Sequence, residues 1–521
     1  MPQLADRNAS VPGSPPSRLV RAGWAAVCVA AASWAAASLT FPFGWDQGMM
    51  ASVGDIVLRG GLPFKDGWDL KGPFAFLGFA AAEFLFGRNM WGIRVLELGL
   101  LALACVALRR VDSRFGAPRG GTVAAAGLVL GIASLGWFHT AQPDGWVTLL
   151  STVAFVPLLT DAGRSPARLT LAGVCAGACS LVKPFYAVLG LVPVYWAFVD
   201  PAPWRTRLGR ASAVVAGAML VPLVTLAWFA YGGGLHDLFE VQVGYNVRAL
   251  STSVSGRRVR FLRAVWYGLA TVPALSAGAL TLWRVERRAC YAASLWLVLA
   301  VGCVVLQGKF FVYQWAAVFG PVALLSGIGV SRMLASDAEN GGRAGGPAVL
   351  KFATLLSCGA IAVWLALQPV RDVGRWLAYL TGEQTRVEYY DQFQFDSYRV
   401  GDEIRAADYI AAHSAPNDRV VVYGNDATVG YLSARPHATR FVYGLPLTRA
   451  VPGFRETYRR EFLETIQRTP PAFVVIGVPF EHPDKAKALR EFPEFEAHLL
   501  RHFHHTTSFG FLDIWEPNQP S

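Results

Sequence analysis

The chain has 521 residues, of which 53% are hydrophobic and only 16% charged, and its mean hydropathy is +0.36. A soluble chain of this length carries nearer a quarter charged residues, so an ordinary soluble protein is excluded and a polytopic helical membrane protein is expected. The net charge of +11 reads as Arg- and Lys-rich cytoplasmic loops and not as a nucleic-acid surface, because no basic–aromatic RNA motif accompanies it.

Residues 1–17 are polar and rich in Pro and Ser, and read as a disordered cytoplasmic tail. Apolar segments follow at about 20–40, 73–87, 91–108, 121–138, 145–160, 169–182, 184–199, 211–231, 262–283, 289–306, 311–333 and 348–368. The segment 73–87 is the shortest and carries Glu83. Charge placement decides its role. If it spans, the Arg-rich loops beyond it fall outside. If it lies along the outer interface, 109–120, 161–168, 200–210 and 284–288 all fall inside, as the positive-inside rule requires. The second choice makes 73–87 a juxtamembrane amphipathic helix. It leaves about 11 spans, with the N-terminus inside and the C-terminus outside. The stretch 42–72, Asp144, Lys183, the loop 232–261 and Lys309 then meet at the outer face.

The chain divides into the tail 1–17, a transmembrane domain 18–368, a linker 369–400 and an extracytoplasmic α/β domain 401–521. Within the last, "NDRVVVYG", "AFVVIG" and "FGFLDIWEP" read as strands between amphipathic helices. The tract "RHFHH" (501–505) has no nearby carboxylate cluster and reads as a surface run. All seven cysteines fall in apolar segments and read as small buried hydrophobes without a disulfide framework.

The chemistry-bearing residues concentrate in "WDQGMMASVGDIVLRGGLPFKDGWDLKGPF" (45–74). Asp46 directly follows an apolar helix and is flanked by Phe43 and Trp45. A carboxylate placed there is poorly hydrated, which favours a raised pKa and general-base behaviour. Asp144 precedes "GWVTLL" and serves equally well as a helix N-cap. Glu83 and Glu97 are expected to pair with Arg88 and Arg94. Arg435 and Arg440 fit surface salt bridges better than acceptor contacts. The outer loop brings Arg248, Arg257, Arg258 and Arg260 against the positive-inside trend, as a site for an anionic headgroup or phosphate requires.

The order Asp46-Gln47-Gly48, then "GGLPFKD", then Lys71-Gly72-Pro73, then "FGRNMWGIR" ending at Arg94, resembles the signature of the GT-C membrane glycosyltransferases. It is most similar to the branch with bacterial aminoarabinose transferases and protein O-mannosyltransferases (glycosyltransferase family 39-like). Gln47 stands where that branch has Glu, and Lys71-Gly72-Pro73 stands for Lys-Pro-Pro. "AQPDGW" resembles the second acidic motif and supplies Asp144; "GVCAGACSLVKPF" resembles the Gly-rich helix ending in Lys183. "LQGKFFVYQW" resembles the late basic–aromatic motif, with Gln314 where His is common. The likeness covers roughly residues 20–335.

The resemblance implies juxtamembrane helices in the first outer loop. It also implies an inverting sugar transfer from a polyprenyl-phosphate donor to an envelope lipid, glycan or protein acceptor, at the outer face of a bacterial inner membrane. Asp46 and Asp144 are the implied catalytic carboxylates. Lys71, Lys183, Arg248, Arg257, Arg258 and Lys309 are the candidates for the donor phosphate. Trp45, Gln47, Trp68, Asp69 and Gln314 are the candidate substrate contacts. No cofactor is required, and a divalent metal is disfavoured by the loss of one carboxylate at Gln47. The alternative is a lipid or sugar transporter or flippase, which would place charges or broken helices near mid-membrane with repeat symmetry.

Overall fold

The computed structural model describes residues 18–112, 114–160, 165–199, 201–249, 256–335, 348–479 and 484–518. The expected tail 1–17 and the Gly-rich stretch 340–346 lie outside the described residues. The first sixteen helices are α1 (Arg18–Ser38), α2 (Trp45–Leu58), α3 (Pro73–Phe86), α4 (Gly92–Arg109), α5 (Gly120–Ser134), α6 (Gly136–His139), α7 (Pro143–Thr160), α8 (Pro166–Ser180), α9 (Leu191–Val199), α10 (Trp204–Tyr231), α11 (Leu235–Phe239), α12 (Asn246–Ala249), α13 (Arg257–Val285), α14 (Arg287–Gln307), α15 (Phe319–Leu334) and α16 (Ala348–Leu380). Short 3-10 turns, Pro184–Gly190 and Val312–Val318, lead into α9 and α15.

Six helices are long and apolar enough to cross a membrane, and shorter apolar helices pack among them. The shorter ones are Pro73–Phe86, Gly120–Ser134, Pro143–Leu159 and Pro184–Val199. The protein is a multi-pass helical membrane protein. Their core joins Leu108, Leu128, Phe155, Trp196, Trp296 and Leu324.

α2 and α3 join the helical bundle to the C-terminal part, α3 packing on α4 and α2 on Ala427–Ser433. At the start of α3, Gly72 N donates to Val182 O at 3.3 Å, and just past its end Arg88 Nη1 donates to Tyr431 O at 2.7 Å. α3 thus runs from the chain just past α8 to the C-terminal part. α2 is sandwiched between α3 and the C-terminal part of the chain, which is why residues 47–55 are buried without a polar face. Gly48 is the closest approach: a Cβ there would sit 2.2 Å from Thr428 Oγ1. Beneath the sandwich Arg88 pairs with Asp55 and, at 3.2 Å, with Glu83.

The C-terminal part comprises α17 (Arg386–Asp391), the hairpin β1 (Gln394–Phe395) and β2 (Tyr398–Arg399), α18 (Val400–Ala412), β3 (Val420–Tyr423), α19 (Ala427–Ser433), α20 (Leu445–Thr448), α21 (Arg455–Arg468), β4 (Phe473–Ile476), α22 (Lys485–Arg490), α23 (Pro493–His502), β5 (Phe503–Phe509) and β6 (Leu512–Pro517). The sheet order is β3-β4-β6-β5; β3 and β4 are parallel and the other pairs antiparallel. The three expected strands are present. The fourth, β5, is the His tract, an edge strand with His504 and His505 outward, where polar side chains discourage edge-to-edge pairing.

The expected limit at 368 falls inside α16. The segment 369–400 is no loose linker, since Tyr389, Phe393 and Tyr398 share a core with Phe41 and Trp137. A larger core runs without a break from Met50, Phe64 and Trp68 through Phe76 to Tyr443, Tyr458 and Phe462. Arg440, expected at the surface, bridges the two parts: it bonds to Glu461 at 2.7 Å, to Glu240 at 3.3 Å and to Phe64 O at 2.9 Å. Arg435 instead bonds within the C-terminal part, to Ala411 O and Ser414.

Two acids are buried beside the domain junction. Glu403 accepts from Tyr398 Oη at 2.6 Å. Burial raises the pKa of both Glu403 and Asp426, the latter to about 7, and the Asp426 charge raises Glu403 further. Glu403 Oε1 and Asp426 Oδ2 have no other donor, as befits two carboxyl groups bridged by one proton. A raised folded pKa contributes stability that is complete below the ordinary carboxylate range and lost as pH climbs to about 7. The unfolding midpoint of the solubilised protein is therefore expected to fall between pH 5 and 8, by an equivalent of roughly 1 kcal/mol or more. Asp426→Asn should flatten that slope, which thermal unfolding across the pH series measures directly.

Candidate active site at the domain junction

One cavity of about 530 Å³ opens at the end covered by the C-terminal part. Its lining is mostly apolar, with two acid–lysine centres in it. Asp46 sits in the first turn of α2, where the helix dipole favours a carboxylate. Its Oδ1 lies 2.8 Å from Lys71 Nζ, and its Oδ2 accepts from Gln142 Nε2 at 3.0 Å. Lys71 is buried between Asp46 and Asp69, the latter at 3.4 Å. Asp69 also accepts from Lys71 N at 3.1 Å, so it fixes both backbone and side chain of that residue.

Burial acts first on this trio and raises the carboxylate pKa values. At Asp46 the Lys71 ammonium and the Gln142 bond outweigh it and hold the group below its ordinary value. At Asp69 burial wins and the pKa is raised. Lys71 is pushed down by burial but up further by its two acids, and stays charged. The raised pKa expected at Asp46 from poor hydration is thus reversed by the lysine beside it.

The second centre forms where α7, α8 and α14 meet the cavity. Lys183 Nζ reaches both oxygens of Asp144 at 2.8 Å and Gln307 Oε1 at 2.6 Å, and Tyr186 Oη donates to Asp144 at 2.6 Å. Asp144 therefore serves these side chains and not as a helix cap. Only 2% of its side chain is exposed, against 22% for Lys183 and 27% for Asp46, so Asp46 and Lys183 are the members that face the space.

Unusual backbone frames both centres. Ala141 has φ 52°, and its N–H donates to Glu97 at 2.8 Å; the pair sets Gln142 toward Asp46. Arg94 donates to Thr140 Oγ1 at 2.5 Å and to Pro42 O and Trp137 O, both at 3.1 Å, so it braces this turn and does not enter the cavity. Lys309 lies between Gly308 and Phe310, with φ 63° and 56°, and its carbonyl accepts from Arg260 at 3.0 Å. Strain of this kind persists only where the surroundings impose it.

Among the expected site residues, Trp45, Asp46, Lys71, Asp144, Lys183, Lys309 and Gln314 line the cavity. Trp45 is packed edge-on to Phe138, Phe395 and Tyr398. Gln314 also accepts from Phe311 N at 3.0 Å. Six others are placed elsewhere. Gln47 points away from the cavity, accepting from Gly44 N at 3.1 Å and donating to Phe138 O at 3.1 Å and Thr140 O at 2.7 Å. Trp68 is fully buried against Tyr245, Tyr443 and Tyr458. Asp69 lies behind Lys71. Arg248 stacks on Phe454. Arg257 and Arg258 line a second, more open cavity of about 400 Å³ with Phe261 and Phe310.

Sequence reasoning missed His139, Gln142, Gln242, Asn246, Gln307 and the C-terminal residues Asn425, Tyr443 and Arg449, all of which line the cavity. Gln242 and Asn246, one helical turn apart, hold the Lys71 loop by bonds to Lys71 O at 2.9 Å and Leu70 O at 2.9 Å. Their i,i+4 spacing was the available signal.

Compared with solved structures, the chain is similar to ArnT from Cupriavidus metallidurans, both in the apo state and bound to undecaprenyl phosphate. Each superposition has a TM-score of 0.56 at 16% identity and covers 95% of this chain and 98% of that one. The chain shares the fold of ArnT. The archaeal oligosaccharyltransferase AglB from Archaeoglobus fulgidus, solved with an inhibitory peptide and a dolichol-phosphate, matches at a TM-score of 0.48 and 12% identity over 96% of this chain and 75% of that one. No protein-family model and no curated protein matches the sequence. The likeness to ArnT takes in the C-terminal part as well as the helical bundle, since it covers 95% of this chain.

Among the described residues no three His, Cys, Asp or Glu side chains converge as a metal site. Each of the two acids lining the cavity has an ammonium at 2.8 Å. Gln47→Leu removes three buried hydrogen bonds and is expected to destabilise the protein by about 2 kcal/mol or more. A lowered thermal midpoint in detergent checks this; wild-type stability would show that Gln47 does not anchor the α2 start.

Proposed function

We propose that the protein is an inverting glycosyltransferase that moves a sugar from a polyprenyl-phosphate donor to an envelope lipid, glycan or protein acceptor. The observation that carries this reading is a single cavity holding an accessible carboxylate, Asp46, and an accessible ammonium, Lys183, each locked by buried partners. ArnT, which shares the fold, has been solved with undecaprenyl phosphate, and this supports a polyprenyl phosphate as the carrier here.

In the proposed reaction an acceptor hydroxyl attacks the anomeric carbon of the donor sugar. The new O–C bond forms as the bond from that carbon to the phosphate oxygen breaks, and the phosphate keeps the electron pair. Asp46 takes the acceptor proton. A weak base suffices, because the hydroxyl becomes acidic only once the new bond has largely formed. Lys71 keeps Asp46 ionised and oriented. Lys183, aimed by Asp144, Tyr186 and Gln307, stabilises the growing charge on the lipid phosphate together with Lys309. Arg257 and Arg258, in the neighbouring open cavity, are placed to attract the phosphate headgroup before it docks.

Asp46→Asn is expected to lower the release of polyprenyl phosphate from a polyprenyl-linked sugar by about 10²–10⁴-fold, with binding of bare polyprenyl phosphate retained; wild-type turnover would reject the mechanism. Because Asp46 is held below its ordinary pKa, the base form persists through neutral pH. The rate should fall only when pH drops beneath the usual carboxylate range, as a pH–rate profile will read.

The localisation proposed is a bacterial inner membrane with the site outside. Reporters inserted in 109–120 should then report the cytoplasm, and reporters fused after residue 518 the exterior. The opposite pattern would invert the topology.

A further inference from the structure

The cavity wall supplied by the C-terminal part carries polar groups that nothing above employs. Asn425 follows Gly424 at the carboxyl end of β3, the end of a parallel pair where α/β sheets present ligand-binding loops. Tyr443 comes from the loop before α20. Gly444 N donates to Gly424 O at 2.6 Å, and a Cβ on Gly444 would meet Gly424 N at 2.9 Å. Two glycines in backbone contact thus bring Asn425 and Tyr443 to the same wall.

Both residues are more than nine-tenths buried, at 2% and 1% exposure. Neither the Asn425 Nδ2 and Oδ1 nor the Tyr443 hydroxyl has a hydrogen-bond partner in the protein, yet both residues line the cavity. Buried polar groups are almost always satisfied, so three without a partner on residues that line one cavity call for a partner the protein itself does not supply. The chemistry selects the ligand. An amide offers a donor and an acceptor side by side and a phenol can be either. A phosphate supplies no proton for Oδ1, and the lysines that suit it, Lys183 and Lys309, belong to other elements. A pair of ring hydroxyls satisfies all three atoms.

We infer that Asn425 and Tyr443 form a subsite for a polyhydroxylated ring, so that the C-terminal domain selects the sugar handled at Asp46. The inference rests on the glycosyltransferase reading, and the ring can belong to the donor or to the acceptor.

The test uses full-length detergent-solubilised protein with Asn425→Leu and Tyr443→Phe, after checking that thermal midpoints match wild type. Binding is measured to undecaprenyl phosphate and to undecaprenyl phosphate carrying glucose, mannose or arabinose. Turnover is measured as release of undecaprenyl phosphate against increasing total envelope extract as acceptor. Affinity for a sugar-bearing lipid reduced about tenfold or more, with the bare lipid unaffected, supports the subsite and assigns the ring to the donor. Unchanged lipid binding with a tenfold higher half-saturating amount of extract supports it and assigns the ring to the acceptor. Equal weakening toward bare and sugar-bearing lipid, or wild-type behaviour in both arms, overturns it. Asp46→Asn with full turnover would reject the enzyme reading separately, without touching the binding arm.

Discussion

Charge placed at the lip of an apolar bundle must be neutralised where it sits. Each carboxylate at the cavity, Asp46 in the open and Asp144 behind it, meets that constraint with one lysine at the same 2.8 Å, and the surrounding side chains hold those two contacts. An unpaired buried ion costs several kcal/mol, whereas a paired one with satisfied hydrogen bonds is tolerated. The Lys71 ammonium is pinned by Asp69, and its backbone is held by the Gln242 bond to Lys71 O and the Asn246 bond to Leu70 O. The Lys183 ammonium is pinned by Asp144 and Gln307. In both centres one partner is sealed in and the other looks into the space, a division suited to chemistry because the exposed group is oriented before any ligand arrives.

Much of this was legible from residue order. The apolar segments predicted the apolar helices, with 73–87 among the shorter ones. The motif residues Asp46, Lys71, Asp144, Lys183 and Lys309 do meet in one cavity. What stayed hidden depends on helix phase and on long-range packing. Consecutive residues on a helix point about 100° apart, so Gln47 turns to the 138–140 turn while Asp46 turns to the cavity. The indole of Trp68 reads in sequence as a sugar platform, but the aromatic residues that claim it, Tyr245 and Tyr458, are nearly 180 and 390 positions away. The pKa of Asp46 likewise required knowing that Lys71 folds back onto it.

The cavity residues of the C-terminal part carry no motif in the sequence. Asn425, Tyr443 and Arg449 are scattered through loops, and only the Gly424–Gly444 contact gathers the first two. Asp426, next to Asn425, belongs to the proton-sharing pair with Glu403, so the wall of the cavity is backed by a buried acidic pair of its own.

The unbroken core from Met50 through Trp68 to Phe462 has a bearing on how such a chain can change over time. A modular appendage can be exchanged for another at its hinge. Here the crossing helices never complete their own interior: the amphibious layer of α2 and α3 has an apolar roof only because the sheet domain supplies it. Recombination at the 369–400 boundary would strip that roof and the far wall of the cavity in one event. Diversity of substrate is therefore expected to arise by point changes in the loops around residues 425 and 443, within a partnership between the two halves that is inherited whole.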